Sequence, residues 1–160
     1  MSVDPDTFRD ALGRFASGVC VVTTASNGDA PAGVTISSFT SVSLDPPLVL
    51  FCIGRRSTSF EAFLACQAFA INLLSAPQED ISELFASQRP DKFAGTAWRA
   101  GRNGCPVLSG CLGTLECDTV AVHPGGDHFI VVGKVVRFTG ASDNEPLLRF
   151  RGRYRRIDGD

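Results

Sequence analysis

At 160 residues, 44% apolar and 20% charged, the chain has the composition of one ordinary globular domain with a core of its own, not of a disordered segment. A formal net charge of −2 gives no general attraction to nucleic acid or anionic lipid. The longest apolar run, Leu48 to Ile53, falls far short of the ~20 residues that span a bilayer. The opening MSVDPDTF lacks the basic and apolar regions of a secretory signal, so the expected setting is cytoplasmic and the six cysteines are expected as reduced thiols.

In chain order, Asp4-Pro5 and Asp6 offer a helix start, and Phe8, Leu12, Phe15 and Ala16 recur at helical spacing up to Gly18. VCVVTTA (19–25) reads as a strand, and Ser26-Asn27-Gly28-Asp29 as a hairpin turn. GVTISSFTSVSL is expected as one continuous second strand, folding over at Asp45-Pro46-Pro47 into a third, LVLFCI. Thr58-Ser59-Phe60-Glu61 has capping-box spacing before a short helix to Cys66. QAFAINLLS is a fourth strand, and 78–86 a second short helix.

Residues 87–110, with four glycines and two prolines, are expected to be largely loop, of a length that suggests a lid. Three strands close the chain at about 111–122, 128–139 and 147–157, with a turn at Pro124-Gly125-Gly126-Asp127. So many strands with so few helices exclude a doubly wound sheet. The strand 128–138 is apolar on both faces, which predicts an antiparallel barrel covered outside by helices or by a second subunit.

The second strand poses the functional question. Six hydroxyl side chains lie between Gly33 and Asp45, and no charged residue lies between Asp29 and Asp45. An exposed strand tolerates Ser and Thr but would normally carry charge as well. A polar, uncharged strand beside an apolar one suggests a surface laid against a planar polar partner, with small side chains letting the backbone approach a heteroaromatic ring. Arg55-Arg56 and the hydroxyls of Ser57 to Ser59, at the start of a helix, suit an anion.

FRDALGRFASGVCVVTT, GVTISSFTSVSLDPPLVLFCI and GDHFIVVGKVV, in this order, resemble the short-chain flavin reductases of the FMN-binding split-barrel family, the reductase components of two-component flavin-dependent monooxygenases. The resemblance covers roughly residues 7 to 157. It implies a mainly β fold: a Greek-key antiparallel split β-barrel with a few short flanking helices. It further implies that Thr35, Ile36, Ser37 and Ser38 line the isoalloxazine, and that Cys52, Ile53, Arg55, Ser57 and Ser59 accept the ribityl chain and phosphate. Lys92 and Phe93 of an Asp-Lys-Phe triplet would approach the flavin, and His128 of Gly-Asp-His would orient the nicotinamide.

The implied activity is hydride transfer from NADH, or NADPH, to FMN or FAD, by a homodimer that supplies reduced flavin to a monooxygenase. No G-x-G-x-x-G follows the first strand, so the nucleotide is not held in the Rossmann manner. The alternative is a flavin-binding electron carrier of the same fold.

Two rival readings carry less weight. Cys105, Cys111, Cys117 and His123 recur every six residues, but six extended residues span roughly 20 Å and do not converge on a metal; none is expected. LLRFRGRYRRI alternates as a strand with Arg149, Arg151, Arg153 and Arg155 on one face. That row is expected as a solvated edge rather than a nucleic-acid contact, with a subunit or nucleotide-phosphate contact between these readings.

Overall fold

The computed structural model describes residues 3–25, 30–140 and 142–157. The expected turn at 26–29 lies outside the described residues. Helix α1 (Pro5–Gly13) starts where expected, with the Asp4 carboxylate accepting from the Thr7 amide at 2.9 Å. It ends five residues earlier than expected, because β1 (Ser17–Gly18) takes over to pair with the C-terminal hairpin.

A seven-stranded antiparallel sheet follows, built from β2 (Cys20–Thr24), β3 (Ala32–Ile36), β4 (Thr40–Leu44), β5 (Pro47–Gly54), β6 (Ala68–Leu73), β9 (Gly113–Gly125) and β10 (His128–Gly140). Its order is β3-β2-β6-β9-β10-β5-β4. The two end strands are consecutive in the chain, and residues from near both ends, Ile36 and Ile53, share one buried cluster with Phe51, Phe69, Cys117 and Val131. The sheet is therefore curled on itself and left open between β3 and β5, a split antiparallel barrel. Phe51 anchors the interior, meeting Phe63 and Phe69 edge-on at 5.5 and 5.2 Å.

Strand β2 is buried on both faces: Cys20 and Val22 point into the barrel, while Val21, with Val19 just before the strand, packs outward on Leu74, Phe85, Leu108 and Leu147. The outer layer contains α3 (Glu79–Ala86), preceded by a 3-10 turn at Ala76–Gln78. A short helix, α2 (Phe60–Ala65), links β5 to β6. Segment 87–110 is less loop-like than its glycines suggest, since β7 (Trp98–Ala100) and β8 (Pro106–Leu108) pair within it.

Two expectations fail in instructive ways. GVTISSFTSVSL is not one strand: it breaks at 37–39, so its hydroxyls do not alternate across one continuous pleat. LLRFRGRYRRI folds into a hairpin, β11 (Leu148–Phe150) against β12 (Arg153–Arg155), so its arginines do not form one row. The turn between them places Arg151 at φ 48° and Gly152 at φ 72°. Among the described residues no helix is long and apolar enough to cross a membrane.

Candidate active site

Because β3 has only one strand neighbour, its other edge carries unpaired backbone groups. The Gly33 carbonyl points to that edge, accepting from Ser59 Oγ at 3.0 Å and Lys92 Nζ at 3.3 Å. Alternate residues of a strand share an edge, so Thr35 presents its N–H and C=O the same way.

Two clefts, each about 250 Å³, lie end to end along this edge. One sits in the split itself, between residues 34–38 and Cys52 to Gly54, with His128 at its rim. The second is lined by Gly33, Thr58, Ser59, Arg89, Lys92 and Phe93 among others.

The sequence candidates divide between side-chain and backbone roles. Ile36 and Ile53 bury their side chains in the barrel core, so only their backbones face the first cleft. Thr35 Oγ1 donates to the Ser82 carbonyl at 2.6 Å, which ties β3 to α3. Ser38 Oγ bonds both backbone groups of Cys52. That leaves Ser37 as the exposed hydroxyl of this group.

Around the second cleft the expected box on Thr58 does not form: buried Ser59 takes the N-cap position without a side-chain capping bond, its hydroxyl given to Gly33. The Ser59 amide is taken by Ser57 Oγ at 3.2 Å and the Phe60 amide by the Ser57 carbonyl at 3.1 Å. Two amides at the start of this six-residue helix are therefore already bonded within the chain.

Arg55 also points elsewhere. Its guanidinium lies 4.4 Å from the Phe129 ring centroid and donates to the Gly126 carbonyl at 3.1 Å, holding the tip of the β9–β10 hairpin. Arg89, which the sequence reading did not single out, lines the cleft instead, bonded to Asp91 at 3.1 and 3.0 Å. Its only sequence signal was its place just before the Asp-Lys-Phe triplet.

Lys92 is buried, with two donors spent on the Gly33 and Phe85 carbonyls, and desolvation pushes its ammonium below the usual lysine range. Phe93 packs edge-on against Phe85 at 5.0 Å, and both rings press on Gly33. A Cβ there would lie 2.6 Å from Phe85, so only glycine lets α3 and the loop reach β3. Sequence reading missed this role of Gly33.

His128 pairs with Gly54 across β10 and β5, and its Nδ1 lies 2.7 Å from Asp127 Oδ1. The hydrogen bond from His128 holds the Asp127 carboxyl below the usual range. With a neutral ring the pair needs Nδ1–H as donor, which leaves Nε2 as an acceptor at the cleft rim. Cys111 is buried in the outer cluster, apart from the barrel cluster that holds Cys117, and among the described residues no three His, Cys, Asp or Glu side chains converge on a metal position.

The residues fit a flavin. An unpaired strand edge with a small exposed hydroxyl and no carboxylate suits the polar rim of an isoalloxazine. Arg89, Lys92 and the exposed Thr58 suit a phosphate.

Comparison with known proteins points the same way. The model of the flavin reductase like domain matches residues 12–158. The chain is 44% identical over 158 residues to the reductase subunit HsaB of a Mycobacterium tuberculosis flavin-dependent monooxygenase, covering 98% of this chain and 84% of that protein. It is 42% identical over 146 residues to the reductase component of the Acinetobacter baylyi flavin-dependent trigonelline monooxygenase, covering 91% of this chain but only 47%, about half, of that longer protein. The solved structure of Streptomyces globisporus NADH:FAD oxidoreductase SgcE6, in complex with NAD and FAD fragments, superposes with a TM-score of 0.92 at 38% identity, covering 100% of this chain and 98% of that one. The chain belongs to the flavin reductase like domain family.

Proposed function

We infer that this chain is an NAD(P)H-dependent flavin reductase that transfers hydride from NADH, or NADPH, to FMN or FAD and supplies the reduced flavin to a partner monooxygenase. The observation that carries this is the cleft in the barrel split, walled by an unpaired strand edge and rimmed by His128. When bound, flavin supplies the hydride acceptor at its N5, and the nicotinamide supplies the donor at C4.

The protein's task is to hold the two rings at about 3–3.5 Å, which needs positioning and no catalytic acid. In this reading the backbones of Thr35, Ile36, Cys52 and Ile53, with Ser37, seat the ring, and Ser38 keeps the split at its working width. Thr58, Ser59, Arg89, Lys92 and Phe93 shape the phosphate cleft. Ser57 and Arg55 brace its approach from outside. His128 Nε2 accepts from the nicotinamide carboxamide and sets that ring over the flavin.

The chain acts as one domain, in the cytoplasm, and as a homodimer. Support for the dimer comes from Leu44, Val136 and Phe138, which are 94%, 50% and 61% exposed on neighbouring stretches of the sheet. Water is a poor partner for such a face.

The test is to mix the purified chain with FMN or FAD and NADH and follow loss of the reduced-nicotinamide absorbance. Flavin-dependent oxidation is expected; flavin binding without oxidation would leave only an electron carrier.

A further inference from the structure

The β9–β10 hairpin brings His128 to the ring cleft on a tip with little packing of its own. Residues 123–128 are exposed, and a Cβ built on Gly126 would meet nothing within 4 Å. Strand β5 supports the hairpin only as far as Gly54, the partner of His128. Past that pair, Gly126 and Asp127 have no neighbouring strand outside the hairpin.

Arg55 supplies the missing support. Its backbone amide donates to the Asp127 carbonyl at 3.0 Å, and its Nε donates to the Gly126 carbonyl at 3.1 Å. Among the described residues no other hydrogen bond reaches Gly126 or Asp127 from outside the hairpin. The same guanidinium lies 4.4 Å from the Phe129 centroid, and Phe129 meets Phe60 of α2 edge-on at 5.5 Å. Arg55 therefore grips the chain on both sides of His128, through a charge-assisted bond to the turn before it and a cation–π contact to the residue after it. Successive side chains of a strand face opposite ways, so Phe129 and Arg55 stand behind the imidazole. Neither lines the ring cleft, whereas His128 and Gly54 do.

We propose that Arg55 is a positioning residue for hydride transfer, acting on the reduced nicotinamide through His128 and not on the flavin. The inference rests on the flavin reductase reading, in which His128 Nε2 meets the nicotinamide carboxamide. An imidazole orients another ring only if its own backbone is fixed, and an exposed turn opens locally unless something outside it holds it. Arg55 fixes the start of β10, from which His128 projects. Asp127 then sets the imidazole through the 2.7 Å bond to Nδ1. The two act in series, one on the backbone and the other on the ring.

The test uses Arg55→Met, which keeps an apolar stem beside Phe129 and removes the side-chain donor and the charge. Initial rates give kcat/KM for NADH and for 1-benzyl-1,4-dihydronicotinamide, a hydride donor with the carboxamide but no phosphate. Arg55→Met should lower both ~3-fold or more, with FMN affinity within ~2-fold of the parent. In a His128→Ala background the same substitution should change neither, because the residue through which it acts is gone. A loss with NADH alone would show that Arg55 attracts phosphate, and additive losses in the double variant would show that it acts apart from His128. Either result overturns the proposal, as does a fall in FMN affinity. Hydrogen exchange separates the clamp from the reductase reading: amides of residues 121–130 should exchange ~3-fold or more faster in Arg55→Met. Unchanged exchange overturns the clamp whatever the kinetics. A parent that oxidises neither donor with any flavin sinks the reductase reading, and faster exchange in the variant then leaves Arg55 as the clamp of the tip alone.

Discussion

Ser38 Oγ accepts the Cys52 amide at 2.9 Å and donates to the Cys52 carbonyl at 3.2 Å, so one side chain bridges the open side of the barrel where no strand pairing does. Ser38→Ala leaves both backbone groups without that partner. A stability loss of about 1–3 kcal/mol is expected, read as a lower urea midpoint at constant slope. FMN affinity should fall with it, because β3 and β5 are the two walls of the ring cleft. A variant with parent-like midpoint and affinity would show that the bridge is idle.

Cys52 is the half-buried thiol of the ring cleft, while the other five are buried. Burial pushes the thiols of Cys20 and Cys117 up to about 12, and those of Cys105 and Cys111 up to about 11, which suppresses the reactive thiolate. In the native chain, iodoacetamide should therefore label Cys52 first, and saturating FMN should slow that labelling ~10-fold or more. Mass spectrometry of the digested protein identifies the site; labelling indifferent to FMN would place the flavin elsewhere.

The same buried thiols set an alkaline limit. Unfolded thiols ionise near 9.0 and these at about 11 to 12, so above pH 9 the unfolded chain releases protons that the native chain keeps. Stability must then fall as pH rises from about 9, by up to about 1.4 kcal/mol per pH unit for each thiol. Lys92 works in the opposite sense: desolvation lowers it from 10.5, so its burial becomes less costly as pH rises toward that value. Urea midpoints across this range should show the decline, flatter in Cys20→Ala and steeper in Lys92→Met.

Arg55 and Arg89 separate two readings of the phosphate site. Arg55 is held outside the cleft on Phe129 and Gly126, whereas Arg89 lines the cleft with Lys92 and is paired only with the exposed Asp91, an exchange a phosphate can make. Fluorescence titration with FMN should find Arg55→Gln within ~2-fold of the parent and Arg89→Gln ~10-fold weaker. The reverse order would return the phosphate to the start of α2.

His128 stands at the rim of the ring cleft, paired with Gly54 of β5, with its ring beside that glycine. His128→Ala should raise the KM for NADH ~10-fold while FMN affinity stays near that of the parent. Asp127→Asn should produce a smaller rise, since it frees the imidazole to turn without removing it. Loss of flavin affinity with an unchanged KM would assign His128 to the flavin instead.

Much of this was readable before folding because it depends on neighbours in the chain. Continuous β-branched and apolar runs made β2, β5, β6 and β10 strands, Asp4 set the start of α1, and an uncharged hydroxyl-rich stretch beside an apolar strand marked the site. The break at 37–39 was not readable. Local alternation permits one long strand, and only the closing of the barrel on Cys52 decides otherwise.

The C-terminal arginines went the same way. Their alternation is consistent with a single strand, but pairing with Ser17–Gly18 and the turn at Arg151-Gly152 folds them into a hairpin against α1. Which hydroxyls remain free was also decided in three dimensions. Ser38, Ser59 and Thr35 have sequences suited to a ligand, yet partners 14, 26 and 47 residues away consume them. Local composition and order thus reveal which chemistry is present and roughly where; which groups still face the cleft depends on folding, because a hydrogen bond between distant segments leaves no trace in local composition.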